Sequence, residues 1–266
     1  MPGIVAGSQD IMEARVRTIA VANQKGGVAK TVSAVNTGAA LAGLGQRVLL
    51  VDLDPQANLS LNAGLTTSSG EPPAYALLSG KEPVGGLITA TRWDGLDVIG
   101  AGIGLSAVEV QLARVEDGHL RLRERLRGLK GYDYVLIDTP PSLGFLTLNA
   151  LSAATEVLIP VQCSFLAMQG LRQLLETIEA VRAHGNPKLT VCGLALTMHD
   201  RRTRHSREVV STVRGHFGDL VFDSLIPRSV AFDYSTVAGV PLVYSDPDSA
   251  AARAYRNLAR EVLKRA

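Results

Sequence analysis

Asn23-Gln24-Lys25-Gly26-Gly27-Val28-Ala29-Lys30-Thr31 follows a short apolar run, Ile19 to Ala22, and opens an alanine-rich segment. That order predicts strand, glycine loop, helix, the layout of a loop that binds phosphate. Two glycines let the backbone come close to an anion, while the first turn of the helix leaves N–H groups unpaired and aimed at it. Lys30 would then set a point charge on the β- and γ-phosphates, and Thr31 would offer its hydroxyl to Mg²⁺. The same nine residues also read as a plain Gly-Gly turn that happens to carry lysines, so context has to decide.

The usual spacing G-x-x-x-x-G-K-[ST] fails here, because Gln24 stands at its first glycine and Ala29 at its second. A second lysine, Lys25, stands in the loop. The string K-G-G-x-x-K-[ST] resembles the deviant Walker A motif of the ParA/MinD group of P-loop ATPases. The resemblance implies a nucleotide cradle of Lys25, Gly26, Gly27, Val28, Ala29, Lys30, Thr31 and Val32. It also implies that Lys25 reaches across a dimer interface to the partner's nucleotide, so that Lys25 and Lys30 are both catalytic.

Working outward, Arg47 to Asp52 is a continuous apolar run ending in acid, as expected for a parallel strand buried on both faces. Ligands in open α/β sheets collect beyond the carboxyl ends of such strands. Two carboxylates, Asp52 and Asp54, leave this strand and can hold hydrated Mg²⁺ or orient a water. They also fit a simple aspartate turn before Pro55. With the loop, Val51-Asp52-Leu53-Asp54-Pro55-Gln56-Ala57-Asn58 resembles the D-x-D-P-Q segment of ParA/Soj partition ATPases. That resemblance implies that Asp54 orients the attacking water and that Asp52 supports the metal site. Tyr132 to Asp138 is a third apolar run ending in acid, followed by Thr139-Pro140-Pro141-Ser142. An acid at the tip of a buried strand suits the second half of a nucleotide site, and prolines stiffen a loop able to sense the γ-phosphate. It matches the family's I-D-T-P-P form of Walker B and switch II, with Asp138 as the metal-site acid beside Thr31.

At 266 residues the chain suffices for one large α/β domain. Hydrophobic content of 46% and charged content of 20% are ordinary for a globular protein. No apolar run approaches the ~20 residues of a membrane helix, and no secretory signal is legible in Met1 to Arg17, so a cytoplasmic location is expected. Cys163 and Cys192 lie apart in apolar contexts and predict two buried thiols. A net charge of +2 is too mild to argue for nucleic acid by itself, so that argument rests on where arginines cluster.

Along the chain, residues 1–16 read as a loose N-terminal arm and 17–266 as a single domain. Helices are expected at Lys30 to Gly43, around Tyr75 to Leu78, and at Leu105 to Leu129, the last a long charged one that Gly118 can break. Further helices are expected at Leu143 to Ala154, Gln169 to His184, from Arg201–Arg207 to about His216, and at Ser249 to Lys264. Strands are expected at Leu96 to Ile99, Val157 to Val161, Leu189 to Met198 and Val221 to Ile226. The arginines at 121, 123, 125 and 127 read as a solvated face. The terminal helix reads as docked on the core, since its apolar face is mostly alanine and a bilayer anchor needs bulkier side chains. Residues 61–95 carry no assigned chemistry. The pattern is a doubly wound α/β fold, mostly parallel strands with helices on both faces.

The resemblance to ParA/Soj ATPases runs from Arg17 to the end of the chain. It adds Pro227 and Arg228 as contacts to adenine and implies ATP, ADP and Mg²⁺ as ligands. It implies an ATP-bound homodimer, weak intrinsic hydrolysis stimulated by a ParB-type centromere-binding protein, and sequence-independent binding to double-stranded DNA over the nucleoid. Arg201, Arg202, Arg204 and Arg207 are the DNA-binding candidates. Ser164 stands where many relatives have an acid, and Ala231 where many have a basic residue. The competing readings are a MinD-like ATPase that cycles on membranes, a related ATPase that positions a protein cargo, a metabolic enzyme such as an amide-forming synthetase, and an iron-sulfur carrier, for which Cys163 and Cys192 are not a cluster-binding arrangement.

Overall fold

The computed structural model describes residues 16–66, 71–80, 82–164 and 167–265. Of the expected arm, residues 1–15 lie outside the described residues. The strands are β1 (Arg17–Val21), β2 (Val48–Asp52), β3 (Thr89–Ala90), β4 (Leu96–Ile99), β5 (Tyr134–Asp138), β6 (Glu156–Gln162), β7 (Thr190–His199) and β8 (Val221–Pro227). They form one sheet in the order β3-β4-β2-β5-β1-β6-β7-β8, parallel throughout except for the short β3 against β4. The helices are α1 (Lys30–Ala42), α2 (Asn58–Asn62), α3 (Pro73–Ser79), α4 (Leu105–Leu112), α5 (Arg121–Leu126) and α6 (Phe145–Ala153). They continue with α7 (Ala167–His184), α8 (Arg204–Phe217), α9 (Ala231–Ala238), α10 (Leu242–Ser245) and α11 (Ala250–Lys264).

Side-chain alternation divides the strands between two cores. Ala20, Leu49, Val51, Val135 and Ile137 face the layer built on α6 and α7, whereas Ile19, Val21, Val48, Leu50 and Leu136 face α1 and α11. Every residue of β2 and β5 is buried, which explains why these strands read as unbroken apolar runs. α1 lies tight on the sheet: a Cβ at Gly38 would sit 2.6 Å from Leu50 Cδ2, so glycine sets the approach. At the other end of the sheet Arg17 pairs with Glu156 at 2.7 Å and also donates to Tyr134 Oη and the Val262 carbonyl, joining β1, β6, β5 and α11.

α11 is docked as expected. Ser249 caps it, Tyr255, Leu258 and Val262 are fully buried, and Tyr255 shares a hydrogen bond with Ser33 of α1 at 2.9 Å. Its apolar face is therefore taken up by the core. Both cysteines are buried and unpaired.

Two expectations need correction. The long helix from Leu105 to Leu129 is instead α4, a turn and α5, because Asp117 takes a left-handed conformation (φ 56°) and a Cβ at Gly118 would fall 2.1 Å from the Leu112 carbonyl oxygen. The arginines of α5 are not simply a solvated face: Arg125 donates to the carbonyls of Leu77 and Glu82, and Arg123 to that of Gly185. They fasten α5 to α3 and to the segments at Glu82 and Gly185.

Candidate functional site

β1 is flanked by β5 and β6, with the chain winding one way to β2 and β4 and the other way to β7 and β8. This is where an open parallel sheet offers a crevice at its carboxyl end. The glycine loop leaves β1 there. Asn23 fixes its start: the buried amide donates to the Pro160 carbonyl at 2.7 Å and its oxygen accepts from Lys25 N–H at 3.0 Å. Thr197 of β7 holds the far side by donating to the Val28 carbonyl at 3.1 Å. Gly27 turns the chain at φ 71° with nothing within 4 Å of a Cβ built on it, and Ala29 enters α1 at φ 66°, ψ 34°. Ala29 thus occupies the left-handed region that disfavours a Cβ.

Lys30 is nearly enclosed, at 7% exposure, and among the described residues its ammonium has one hydrogen-bond acceptor, the Lys25 carbonyl at 3.4 Å. Burial lowers its pKa, opposed by the charges of Asp138 and Asp54. A buried cation with so weak a hydrogen-bond partner keeps donor capacity that an anion can fill.

Asp138 is the reverse case. Its carboxylate is fully buried and neither oxygen has a hydrogen bond of ordinary geometry, though the nearby Thr31 hydroxyl favours its charged form. Burial, then the charge of Asp52, push its pKa well above the carboxylate range. The two acids stand side by side because β2 and β5 pair Asp52 with Asp138 in register. An orphaned buried carboxylate beside a buried ammonium and a threonine hydroxyl fits a Mg²⁺-nucleotide, with Asp138 and Thr31 toward the metal and Lys30 with the loop N–H groups toward the phosphates.

Asp52 is engaged differently. Oδ1 accepts from Asp54 N–H at 3.0 Å, and Oδ2 accepts from Ser60 N–H at 2.9 Å and Ser60 Oγ at 2.8 Å. Burial still lifts its pKa to about 6. With its oxygens so occupied, Asp52 acts by shaping the turn that presents Asp54. Asp54 in turn accepts Gln56 N–H at 2.9 Å on Oδ1, and its side chain makes no other hydrogen bond within the described protein. The switch-like loop is held at its start by Thr139 Oγ1, which donates to the Val21 carbonyl at 3.0 Å, and Pro141 lies over Gly26, 3.8 Å from a Cβ built there.

Lys25 is folded back within its own chain. Nζ donates to Gln162 Oε1 at 3.0 Å and Ser164 Oγ at 3.2 Å, both neutral. Asn23, Ser60, Thr139 and Thr197 escaped the sequence reading; only Asn23, at a strand end before a lysine-glycine turn, left a usable signal.

Pro227 and Arg228 end β8 next to a break in register. Leu196 pairs with Leu225 but His199 with Pro227, so β7 carries one extra residue, and Met198 absorbs it at φ 54°. The bulge turns His199 toward an open groove of about 1200 Å³, whose basic lining comprises Arg201, Arg202, Arg228, Arg253, Arg260 and Lys264. Burial, with Arg201 next, lowers the His199 pKa. The groove also carries the carboxylates of Asp200, Asp223 and Glu261, the last accepting from the N–H groups of Asp223 and Ser224. Arg204 and Arg207 lie on α8 outside this lining, and Arg204 is paired with Glu208 at 2.6 Å. The structure therefore gathers Arg201, Arg202 and Arg228 but not all four arginines of the run.

Residues 16–191 match a family described as an AAA domain. The chain is 46% identical over 253 residues to the chromosome partitioning protein ParA of Caulobacter vibrioides, covering 94% of this chain and 95% of that one. It is 44% identical over 247 residues to the sporulation initiation inhibitor protein Soj of Bacillus subtilis, covering 92% and 98%. Among solved structures it is similar to one described as cobyrinic acid a,c-diamide synthase of Mycobacterium smegmatis with bound ATP analogue and magnesium. The TM-score there is 0.82 at 38% identity, over 94% of this chain and 95% of that chain. Among the described residues no helix is long and apolar enough to cross a membrane.

Proposed function

The chain belongs to the ParA/Soj family of partitioning ATPases, and from that premise we propose that it is a nucleotide-switched, DNA-binding ATPase that segregates DNA. The observation that carries the reading is the paired imbalance at the end of the loop: among the described residues Lys30 is buried with one long hydrogen bond, and Asp138 is buried with none of ordinary geometry. Lys30 and the N–H groups of the loop bind the phosphates. Mg²⁺, held through Thr31 and Asp138, would neutralise charge on the β- and γ-phosphates. Asp54, set by Asp52 and Ser60, orients the attacking water. Pro227 and Arg228 close the adenine end.

Dimerisation follows from Lys25. Two hydrogen bonds to neutral acceptors hold it at home, worth at most about 1.5–3 kcal/mol each, whereas a second subunit's nucleotide offers it an anion. ATP thus favours a homodimer, and hydrolysis releases it. Charge supplied across an interface contributes about 10³- to 10⁵-fold in phosphoryl transfer, so weak intrinsic turnover and stimulation by a ParB-type partner are the expected behaviour. The basic groove supplies the DNA contact, with Arg201 and Arg202 at its centre. Doubling that groove in a dimer steepens salt dependence, placing the ATP form on the nucleoid.

The decisive experiment measures binding to a non-specific duplex without nucleotide, with ADP and with ATP, at low and high salt, for wild type, Lys25→Ala and Arg202→Ala. ATP-dependent, salt-sensitive binding lost in both variants is the expected result. Dimerisation on ATP with no DNA binding under any condition would leave membrane or protein cargo as the reading. The Mycobacterium smegmatis neighbour raises an amide-forming reading; turnover dependent on a carboxylic-acid metabolite, with no DNA effect, would favour it.

A further inference from the structure

α6 begins where the switch-like loop ends, and its first turn lacks a cap of its own: the residue before it is Gly144, with no side chain to offer. The acceptor comes from another helix. Glu109, midway along α4, places Oε1 3.4 Å from the Leu146 N–H. A Cβ at residue 144 would lie 2.3 Å from that same oxygen, so glycine is what admits the carboxylate. An anion at this end of a helix is also favoured by the helix dipole. Nearby, Thr147 Oγ1 donates to the Ser142 carbonyl at 2.6 Å, which makes the end of the loop and the first turn of α6 one piece. The loop is therefore gripped twice. Thr139 anchors its start to β1, and Glu109 anchors its end through α6, leaving Pro141 and Ser142 exposed between them.

We propose that Glu109 is a positioning residue for hydrolysis, acting through Gly144 and the first turn of α6 to hold the loop Thr139–Gly144 in register over the glycine loop. It touches neither nucleotide nor metal. Its effect falls on how the loop responds to the γ-phosphate, so catalysis depends on it and ADP binding does not. The inference rests on the ATPase reading for its kinetic consequence, but the anchoring itself can be tested without activity.

The experiment compares wild type with Glu109→Ala, Glu109→Gln and Gly144→Ala. Gln keeps an acceptor oxygen; Ala at 144 pushes the carboxylate aside and leaves it in place chemically. Hydrogen exchange over Leu143–Leu148 is expected to quicken about tenfold in the two alanine variants and to return most of the way in Gln, as loss and recovery of one hydrogen bond to a charged group would produce. Steady-state kcat is expected to fall about tenfold in the same two variants, with ADP affinity within about twofold and Gln recovering to within about threefold of wild type. Unchanged exchange, unchanged kcat, a Gln variant no better than Ala, or a loss of kcat matched by an equal loss of ADP affinity would each overturn the proposal. Were wild type to hydrolyse no ATP, the proposed function would fall, and the exchange measurement would still decide whether Glu109 anchors the loop.

Discussion

Asp138→Asn should make the nucleotide-free protein more stable while removing its response to Mg²⁺-nucleotide. The wild-type carboxylate is fully buried, lacks a hydrogen bond of ordinary geometry and stands beside Asp52 across the β2–β5 pairing. Whether ionised, or held protonated against its usual preference, it costs the folded state. An unsatisfied buried polar group costs about 1–3 kcal/mol and a charged one more, so replacing the acid by a neutral amide should return about 2 kcal/mol. For a domain of this size that corresponds to a rise in Tm of roughly 4–8 °C. Nucleotide reverses the order. Ligand at about 100 times its Kd stabilises wild type by ~2.7 kcal/mol, and the variant, with its metal-side oxygen lost, should gain much less. The assay is thermal unfolding in EDTA, repeated with Mg²⁺ and a slowly hydrolysed ATP analogue. A variant that melts below wild type in EDTA, or a nucleotide shift equal in both proteins, would refute the claim that Asp138 is a metal-side acid.

Ala29→Gly removes a Cβ from the left-handed region; the relief of about 1–2 kcal/mol, less about 0.4–1 kcal/mol of added unfolded-chain entropy, predicts a small net gain by denaturant titration. Ser164→Asp gives the parked Lys25 ammonium an ionised partner and should raise the ATP needed for half-dimerisation about fivefold, the equivalent of ~1 kcal/mol, in analytical ultracentrifugation. Arg202→Ala should lower the salt slope of DNA affinity by about 1, whereas Arg204→Ala, already paired with Glu208, should change it little; fluorescence anisotropy across salt reads both. Asp52 carries a folded pKa of about 6 against an ordinary 3.8, so its contribution to stability is present at low pH and is lost as pH rises through 6. Relative to Asp52→Asn, nucleotide-free wild type should lose about 1.4 kcal/mol between pH 5 and pH 7.5; a difference flat with pH in chemical denaturation would count against it.

The parts of the sequence that proved legible were those where one physical demand dominates. β1, β2 and β5 are buried on both faces and so appear as apolar runs, and two of them end in the acids of the site. β3 is only two residues long. α9 and α10 are short and start without a side-chain cap, so neither left a pattern to read. The break between α4 and α5 depends on Asp117 adopting positive φ, a choice local composition does not announce. Within the site, the lysines and acids were visible as motif positions, but the division of labour among the acids was not. Asp52 is occupied by Ser60, eight residues on and inside an unforeseen helix, while Asp138 is left without such a partner. The arginine run looked like one surface; three-dimensional placement splits it, sending Arg201 and Arg202 to the groove at the β7 bulge and Arg204 to an ion pair on α8.

The hydrogen bond from Arg17 to the Val262 carbonyl brings the first strand and the last helix together at the end of the sheet away from the glycine loop, about 17 Å of strand from it. A domain whose first strand and last helix meet can be rejoined between them and reopened elsewhere. A circular permutant linked by a short glycine-serine segment between these ends, and cut in an exposed surface turn, should keep the nucleotide crevice and its opposing face intact.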